Sequence, residues 1–183
     1  ARFRKAFEDV WKLDWRPVRD GDALDCGLKA VWTPGHTPGH VVYVADFGVF
    51  TGDHVLPKIT PNISWYPIPD FNPLKEYLQS LRKVAWSTRA FPAHGDEMPD
   101  LSTRVAELLS HHERRLAEVL KLLKEPMTTY QIAQRMAWDA GPFEQFDVYN
   151  KIFAIGEAYS HLLYLEEQGA VRRIEKDVVY WTR

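Results

Sequence analysis

Thr33-Pro34-Gly35-His36-Thr37-Pro38-Gly39-His40, followed one short β-pattern later by Thr51-Gly52-Asp53-His54, is the stretch from which the fold is read. Its two prolines fix φ and its two glycines permit a tight turn, so a histidine inside the loop is held at a defined angle. That is how a metal ligand is presented. The apolar run Val41-Val42-Tyr43-Val44-Ala45 leaves the loop, Asp46-Phe47-Gly48 reads as a turn, and Val49-Phe50-Thr51 returns, bringing Asp53 back near the histidine loop. Phe91-Pro92-Ala93-His94-Gly95-Asp96 is another short apolar segment with a histidine at its tip. Two imidazoles and one carboxylate at strand ends make a first shell suited to Zn²⁺ or a similar ion. His36, Asp53 and His94 are therefore the candidate ligands.

Outward from this stretch, 183 residues that are 45% apolar and include seven Trp suffice for a packed core. A formal charge of −2 creates no field favouring nucleic acid or an anionic membrane. The single cysteine, Cys26, excludes an internal disulfide and a cysteine-based zinc cluster, and fits a reducing, cytoplasmic setting. Flanked by Asp25 and Gly27, it reads as a buried small apolar residue and not as a nucleophile. No run has the length of a membrane span, and the basic start lacks the apolar core of a signal peptide. A first residue other than methionine points to a longer parent polypeptide.

Residues 2–12 show helical spacing, Val18 to Leu28 alternates around an Asp-Gly turn as strands do, and Lys29-Ala30-Val31-Trp32 delivers the histidine loop. Val55 to Pro69, with four prolines plus Trp65 and Tyr66, is a long loop that reads either as a wall of the substrate pocket or as a surface loop pinned by Pro and Trp. Asn72-Pro73 caps a helix to about Trp86, and Asp100 caps a longer one to about Lys124. Within it His111 and His112 point about 100° apart, so one packed and one solvated imidazole is expected. His40 reads as a structural hydrogen-bonding residue at a strand start, and His54 as a residue facing the pocket or merely following Asp53.

From Glu125-Pro126 the composition changes. Thr128-Thr129-Tyr130-Gln131 is a capping box, Val148 to Leu162 marks a helix stopped by Gly169, and Val171 to Thr182 alternates around a Lys176-Asp177 turn. This order is that of a winged helix. From His111 onward 10 Lys+Arg stand against 11 Asp+Glu, which favours a packing or dimer-forming role over binding to phosphates.

Thr-Pro-Gly-His-Thr-Pro-Gly-His at 33–40, Thr-Gly-Asp at 51–53 and Pro-Ala-His-Gly at 92–95 resemble the later metal motifs of the metallo-β-lactamase-fold hydrolases, the superfamily that includes hydroxyacylglutathione hydrolase. The resemblance spans residues from about 18 to 120. It implies an α/β fold in which this chain supplies the second half of an αββα sandwich. The region after it resembles the winged-helix extension of one branch of that superfamily, the branch with a mitochondrial lactamase-like ribonuclease. The expected division is 1–110 for the half-sandwich and 111–183 for the winged-helix-like part. By the resemblance His36 is a ligand of a first metal, Asp53 a catalytic carboxylate bridging two metals and His94 a ligand of the second, with His40, His54, Trp65 and Tyr66 as possible pocket residues. The His-x-His-x-Asp-His motif that opens such sites is absent from these 183 residues.

The function implied is hydrolysis of a small ester or thioester by hydroxide generated between two divalent ions, zinc by expectation. Without the first motif these residues hold at most one ion, weakly, and the isolated chain is expected to be inactive. An uncovered apolar sheet face should then find a second copy or the missing N-terminal part. Two further readings stand beside this one: a single-strand endoribonuclease of the same fold, and a non-catalytic winged-helix assembly or nucleic-acid-binding module. Partners are expected to be a small-molecule substrate and a further polypeptide, with no membrane and with nucleic acid disfavoured.

Overall fold

A computed structural model describes residue 12 and residues 14–183. The helix expected over 2–12 lies outside the described residues apart from Lys12. The described elements begin with three antiparallel-linked strands, β1 (Lys29–Trp32), β2 (Val41–Ala45) and β3 (Gly48–Gly52). Helix α1 (Pro73–Lys83), strand β4 (Ala90–Pro92) and helix α2 (Leu101–Leu122) follow. Strand β5 (Met127–Thr128), helix α3 (Thr129–Arg135), a 3₁₀ turn at Phe143–Gln145, helix α4 (Val148–Glu167) and the hairpin β6 (Arg172–Glu175) and β7 (Val179–Thr182) complete them. None of these helices is long and apolar enough to cross a membrane.

β1 to β4 form one sheet in that order. β1 pairs antiparallel with β2 and β2 antiparallel with β3, while β3 and β4 run parallel. β1, β3 and β4 therefore point the same way, and the loops that leave them emerge at one edge. The period-2 rule splits the sheet into two faces. Val31, Val42, Val49 and Ala90 face α1 and α2 and pack with Leu74, Leu78, Leu81 and Leu108. The cross-strand row Tyr43, Phe50 and Phe91 lies on the opposite face. There the rings of Phe47, Phe50 and Phe91 touch one another, and Phe47 and Phe50 remain exposed.

Both long helices start where a side chain satisfies their first free N–H groups. Asn72 accepts from Lys75 N and Asp100 accepts from Thr103 N. α2 runs through position 111 without a break: Leu101, Val105 and Leu108 belong to the first core, Val119 to a second, and Leu116 packs against both. The second core joins α3, α4 and the sheet β5-β7-β6 around the fully buried Trp181. The Thr128 capping box forms as the residues require, with Gln131 N bonding Thr128 and the Gln131 side chain bonding back.

Residues 18–28 depart from the strands expected there. Only Ala23 makes a bridge, to Lys29. The acidic side chains take over the backbone donors a ladder would use: Asp22 accepts Arg19 N and Asp20 accepts Trp32 N, each at 2.7 Å. Cys26 sits in the turn closed by hydrogen bonds from Leu24 N to Leu28 O and from Gly27 N to Leu24 O and is exposed, so the expectation of a buried cysteine is corrected. Of the histidine pair, His112 is buried and His111 half-buried.

Because α2 serves both cores, truncating its wholly buried Leu108 to Ala should lower stability by about 2–5 kcal/mol. Urea denaturation followed by far-ultraviolet circular dichroism should show that loss in one shifted transition.

Candidate metal centre

The loop after β1 is a closed turn. Thr33 N donates to His40 O, and Gly35 N and His40 N both donate to Thr37 O. Helix α1 clamps it from below: Ser80 Oγ donates to Pro34 O at 2.8 Å, and a Cβ on Gly35, whose φ is +141°, would stand 2.5 Å from Tyr77 Cα. The same Tyr77 donates its hydroxyl to His54 O at 2.9 Å, so one helix face fixes the loops after β1 and β3 together. The loop after β4 joins them through Ala93 N, which donates to Gly52 O at 3.0 Å. Parallel pairing of β3 and β4 is what makes that bond available.

Of the three candidate ligands, Asp53 and His94 meet directly, with His94 Nε2 3.5 Å from Asp53 Oδ1. Asp53 Oδ1 is buried and receives no hydrogen bond. His36 Nδ1 lies 2.8 Å from the Asn62 carbonyl, which can only accept, so Nδ1 carries the proton and Nε2 is left free. The His36 ring makes an edge contact with that of His40, and His40 in turn lies against His54, with centroids 6.4 and 5.6 Å apart. Among the described residues no three His, Cys, Asp or Glu side chains stand as a group that could hold an ion.

An orphaned buried carboxylate oxygen beside an imidazole fits a cation, and so does a histidine whose second nitrogen is tied to a carbonyl. Asp53 and His94 form a pair, and His36 is not joined to it in one group.

His40 and His54 lie next in the row of rings, and both ring nitrogens of the buried His54 receive no hydrogen bond. His40 Nδ1 is 3.0 Å from Thr33 Oγ1, as a strand-start hydrogen-bonding residue should be. Burial, then the nearby His36, pushes the His40 pKa down to about 4. Burial, then His40, pushes that of the fully buried His54 down to about 3. Tyr66 reaches the site through its hydroxyl, which donates to His36 O at 2.9 Å, while the Trp65 ring packs edge-on against Tyr159 of α4. Two cavities flank the 59–72 segment, of about 640 and 510 Å³; neither is lined by His36, Asp53 or His94.

Sequence reasoning missed Tyr77 and Ser80, whose helical spacing shows only an inward face. It also missed Asn62, which stands in a proline-rich loop with no motif. A second buried polar set lies where the two cores meet. His161 Nδ1 donates to Glu157 O at 2.8 Å, which leaves His161 Nε2 to accept from His112 Nδ1 at 3.3 Å. Burial holds His161 down to about 4 and His112 well below its ordinary value, and it raises Glu157 to about 7.

Residues 4–86 match the metallo-beta-lactamase superfamily, and residues 116–182 match the metallo-beta-lactamase-like C-terminal domain. The chain belongs to the metallo-beta-lactamase superfamily, whose members are generally hydrolases that bind divalent metals. It is 30% identical to a metallo-beta-lactamase family protein of Thermus thermophilus, with a TM-score of 0.80 over 98% of this chain and 63% of that one. For a beta-lactamase domain protein of Burkholderia ambifaria the figures are 32%, 0.82, 93% and 52%. Lactamase-like protein nscB of Aspergillus fumigatus is 28% identical over 122 residues, which are 64% of this chain and 35% of that protein. The atrochrysone carboxyl ACP thioesterase of Emericella nidulans is 31% identical over 130 residues, 65% of this chain and 40% of that protein. The chain thus spans about a third of the first of these curated relatives.

Gly35→Ala should destabilise the fold by roughly 3 kcal/mol, because the new methyl group meets the α1 backbone and the φ disfavours any side chain; thermal unfolding would show it. Acid should also unfold the chain early. His40, His54, His112 and His161 are held neutral in the fold but bind protons near 6.5 when unfolded, so the unfolded state gains protons as pH falls from about 6.5 towards 4. Glu157, with its raised pKa, works the other way between about 4.5 and 7, one group against four. Stability measured by urea titration at each pH should therefore fall steadily over the acid range.

Proposed function

We propose that this chain is the C-terminal portion of a metal-dependent hydrolase acting on a small ester or thioester, with zinc held in part by His36, Asp53 and His94. The observation that carries the reading is the buried, unpartnered Asp53 Oδ1 with His94 Nε2 3.5 Å away, at the sheet edge where the His36 loop also emerges. The likeness to a thioesterase gives the substrate class its support.

In this reading His36 binds through Nε2, because the Asn62 carbonyl occupies Nδ1. Asp53 would offer its buried Oδ1 and His94 its Nε2, which lies 3.5 Å from that oxygen. A divalent ion held by these residues would supply Lewis acidity and a more acidic bound water, the chemistry that hydrolysis of an acyl group needs. His40 and His54, kept neutral by burial, add no charge that would repel a cation. The Tyr66 hydroxyl holds the backbone of the His36 loop, and Trp65 beside it packs on Tyr159. The remaining ligands belong to polypeptide outside these residues, since no His-x-His-x-Asp-His motif occurs among them. The same polypeptide would cover the exposed Phe47 and Phe50 face. Residues 111–183 are taken as a winged-helix-like part, supported by the order of α2, β5, α3, α4 and the β6–β7 hairpin. Its near-even charge favours packing over contact with nucleic acid.

Calorimetric titration with Zn²⁺ should reveal weak binding by the 183-residue chain, reduced at least about tenfold by Asp53→Ala or by His94→Ala. The zinc-loaded chain alone should not hydrolyse thioesters. Binding that is indifferent to both substitutions would refute the ligand assignment, and hydrolysis at family-like rates would refute the incomplete site.

A further inference from the structure

Residues 62–66 lie as a strap between His36 and helix α4. On one side the Asn62 carbonyl accepts the His36 Nδ1 proton and the Tyr66 hydroxyl donates to the His36 carbonyl, at 2.8 and 2.9 Å. On the other side Trp65 N donates to Gly156 O at 3.2 Å and Asn62 Nδ2 donates to Glu157 Oε2 at 3.0 Å. Ser64 Oγ bonds Asn62 Oδ1 and lies 3.4 Å from Phe153 O, so both ends of the Asn62 amide are engaged. Between these anchors Ile63 is fully buried in the first core.

Two features of α4 are fitted to the strap. A Cβ on Gly156 would stand 2.8 Å from Ser64 Oγ and 3.1 Å from Ser64 Cβ, so the close approach needs glycine there. Glu157 is a carboxyl group inside the protein, where an apolar side chain of similar size would cost less, and it is spent on the Asn62 amide. Asn62 is thus held by its side chain from α4 while its own carbonyl holds the His36 ring.

We propose that Glu157 and Gly156 are positioning residues, through which helix α4 sets the tautomer and orientation of the His36 imidazole by way of the 62–66 strap. The C-terminal part of the chain thereby governs how well His36 serves as a ligand in the N-terminal part. The consequence for metal affinity rests on the reading of His36 as a ligand; the consequence for the imidazole itself does not.

Long-range ¹H–¹⁵N correlation spectra of the metal-free 183-residue chain at about pH 8, above the ordinary histidine range, read the His36 tautomer directly. The wild type should show His36 protonated at Nδ1. Asn62→Ala and Glu157→Leu should each mix the two tautomers and weaken Zn²⁺ binding by about tenfold in calorimetry. Glu157→Gln, which keeps an acceptor for the Asn62 amide, should leave both within about twofold of wild type. Gly156→Ala should act like Asn62→Ala, and if it fails to fold, the half-buried Asn62 gives the decisive variant. A His36 signal unchanged in folded Asn62→Ala and Glu157→Leu overturns the proposal. A tautomer that shifts as stated in a chain without Zn²⁺ binding upholds the strap and refutes only the metal reading.

Discussion

The parallel pairing of β3 with β4 is the constraint on which the rest depends. β1, β2 and β3 make antiparallel turns, so β1 already points with β3; adding β4 in the same sense puts the loops after β1, β3 and β4 at one edge. Backbone groups left over at the strand ends then tie those loops, as Ala93 N does with Gly52 O. A β4 of opposite sense would carry His94 to the far end of the sheet, and Asp53 would face solvent alone.

Helix α1 converts that edge into a fixed site. Its buried apolar residues secure it against the sheet, and its polar ones, Tyr77 and Ser80, reach the carbonyls of His54 and Pro34. Backbone carbonyls in buried loops need donors, and two hydroxyls from a rigid helix supply them without adding charge. Beneath lie imidazoles that burial keeps neutral, so the centre is polar but carries little positive charge of its own.

The two cores behave as parts of one body because α2 runs through both and because polar bonds cross between them. His112 meets His161, Asn72 meets Glu167 at 3.1 Å, and Asn62 meets Glu157. The expected boundary at 110/111 falls inside an unbroken helix whose Leu116 serves both sides. Contacts of this kind let the C-terminal part bear on a loop that lies far from it in sequence.

Local pattern alone determined much of this. The Pro-Gly frame of 33–40, the β-branched run at 41–45, the caps at Asn72, Asp100 and Thr128 and the closing hairpin are all short-range signals, and each element formed where its residues dictate. Short-range signals also misled at 18–28, where the Asp22 and Asp20 side chains took the Arg19 and Trp32 donors, and at Cys26, which a turn closed by Leu24 and Leu28 exposes. Only the tertiary structure decided which loops meet, that Tyr77 clamps two of them, and that Asn62, bonded to His36, also reaches Glu157, 95 positions further along the chain. Those contacts join residues with no shared period or motif, and they arise from how helices and sheet pack, a property no stretch of the chain carries by itself.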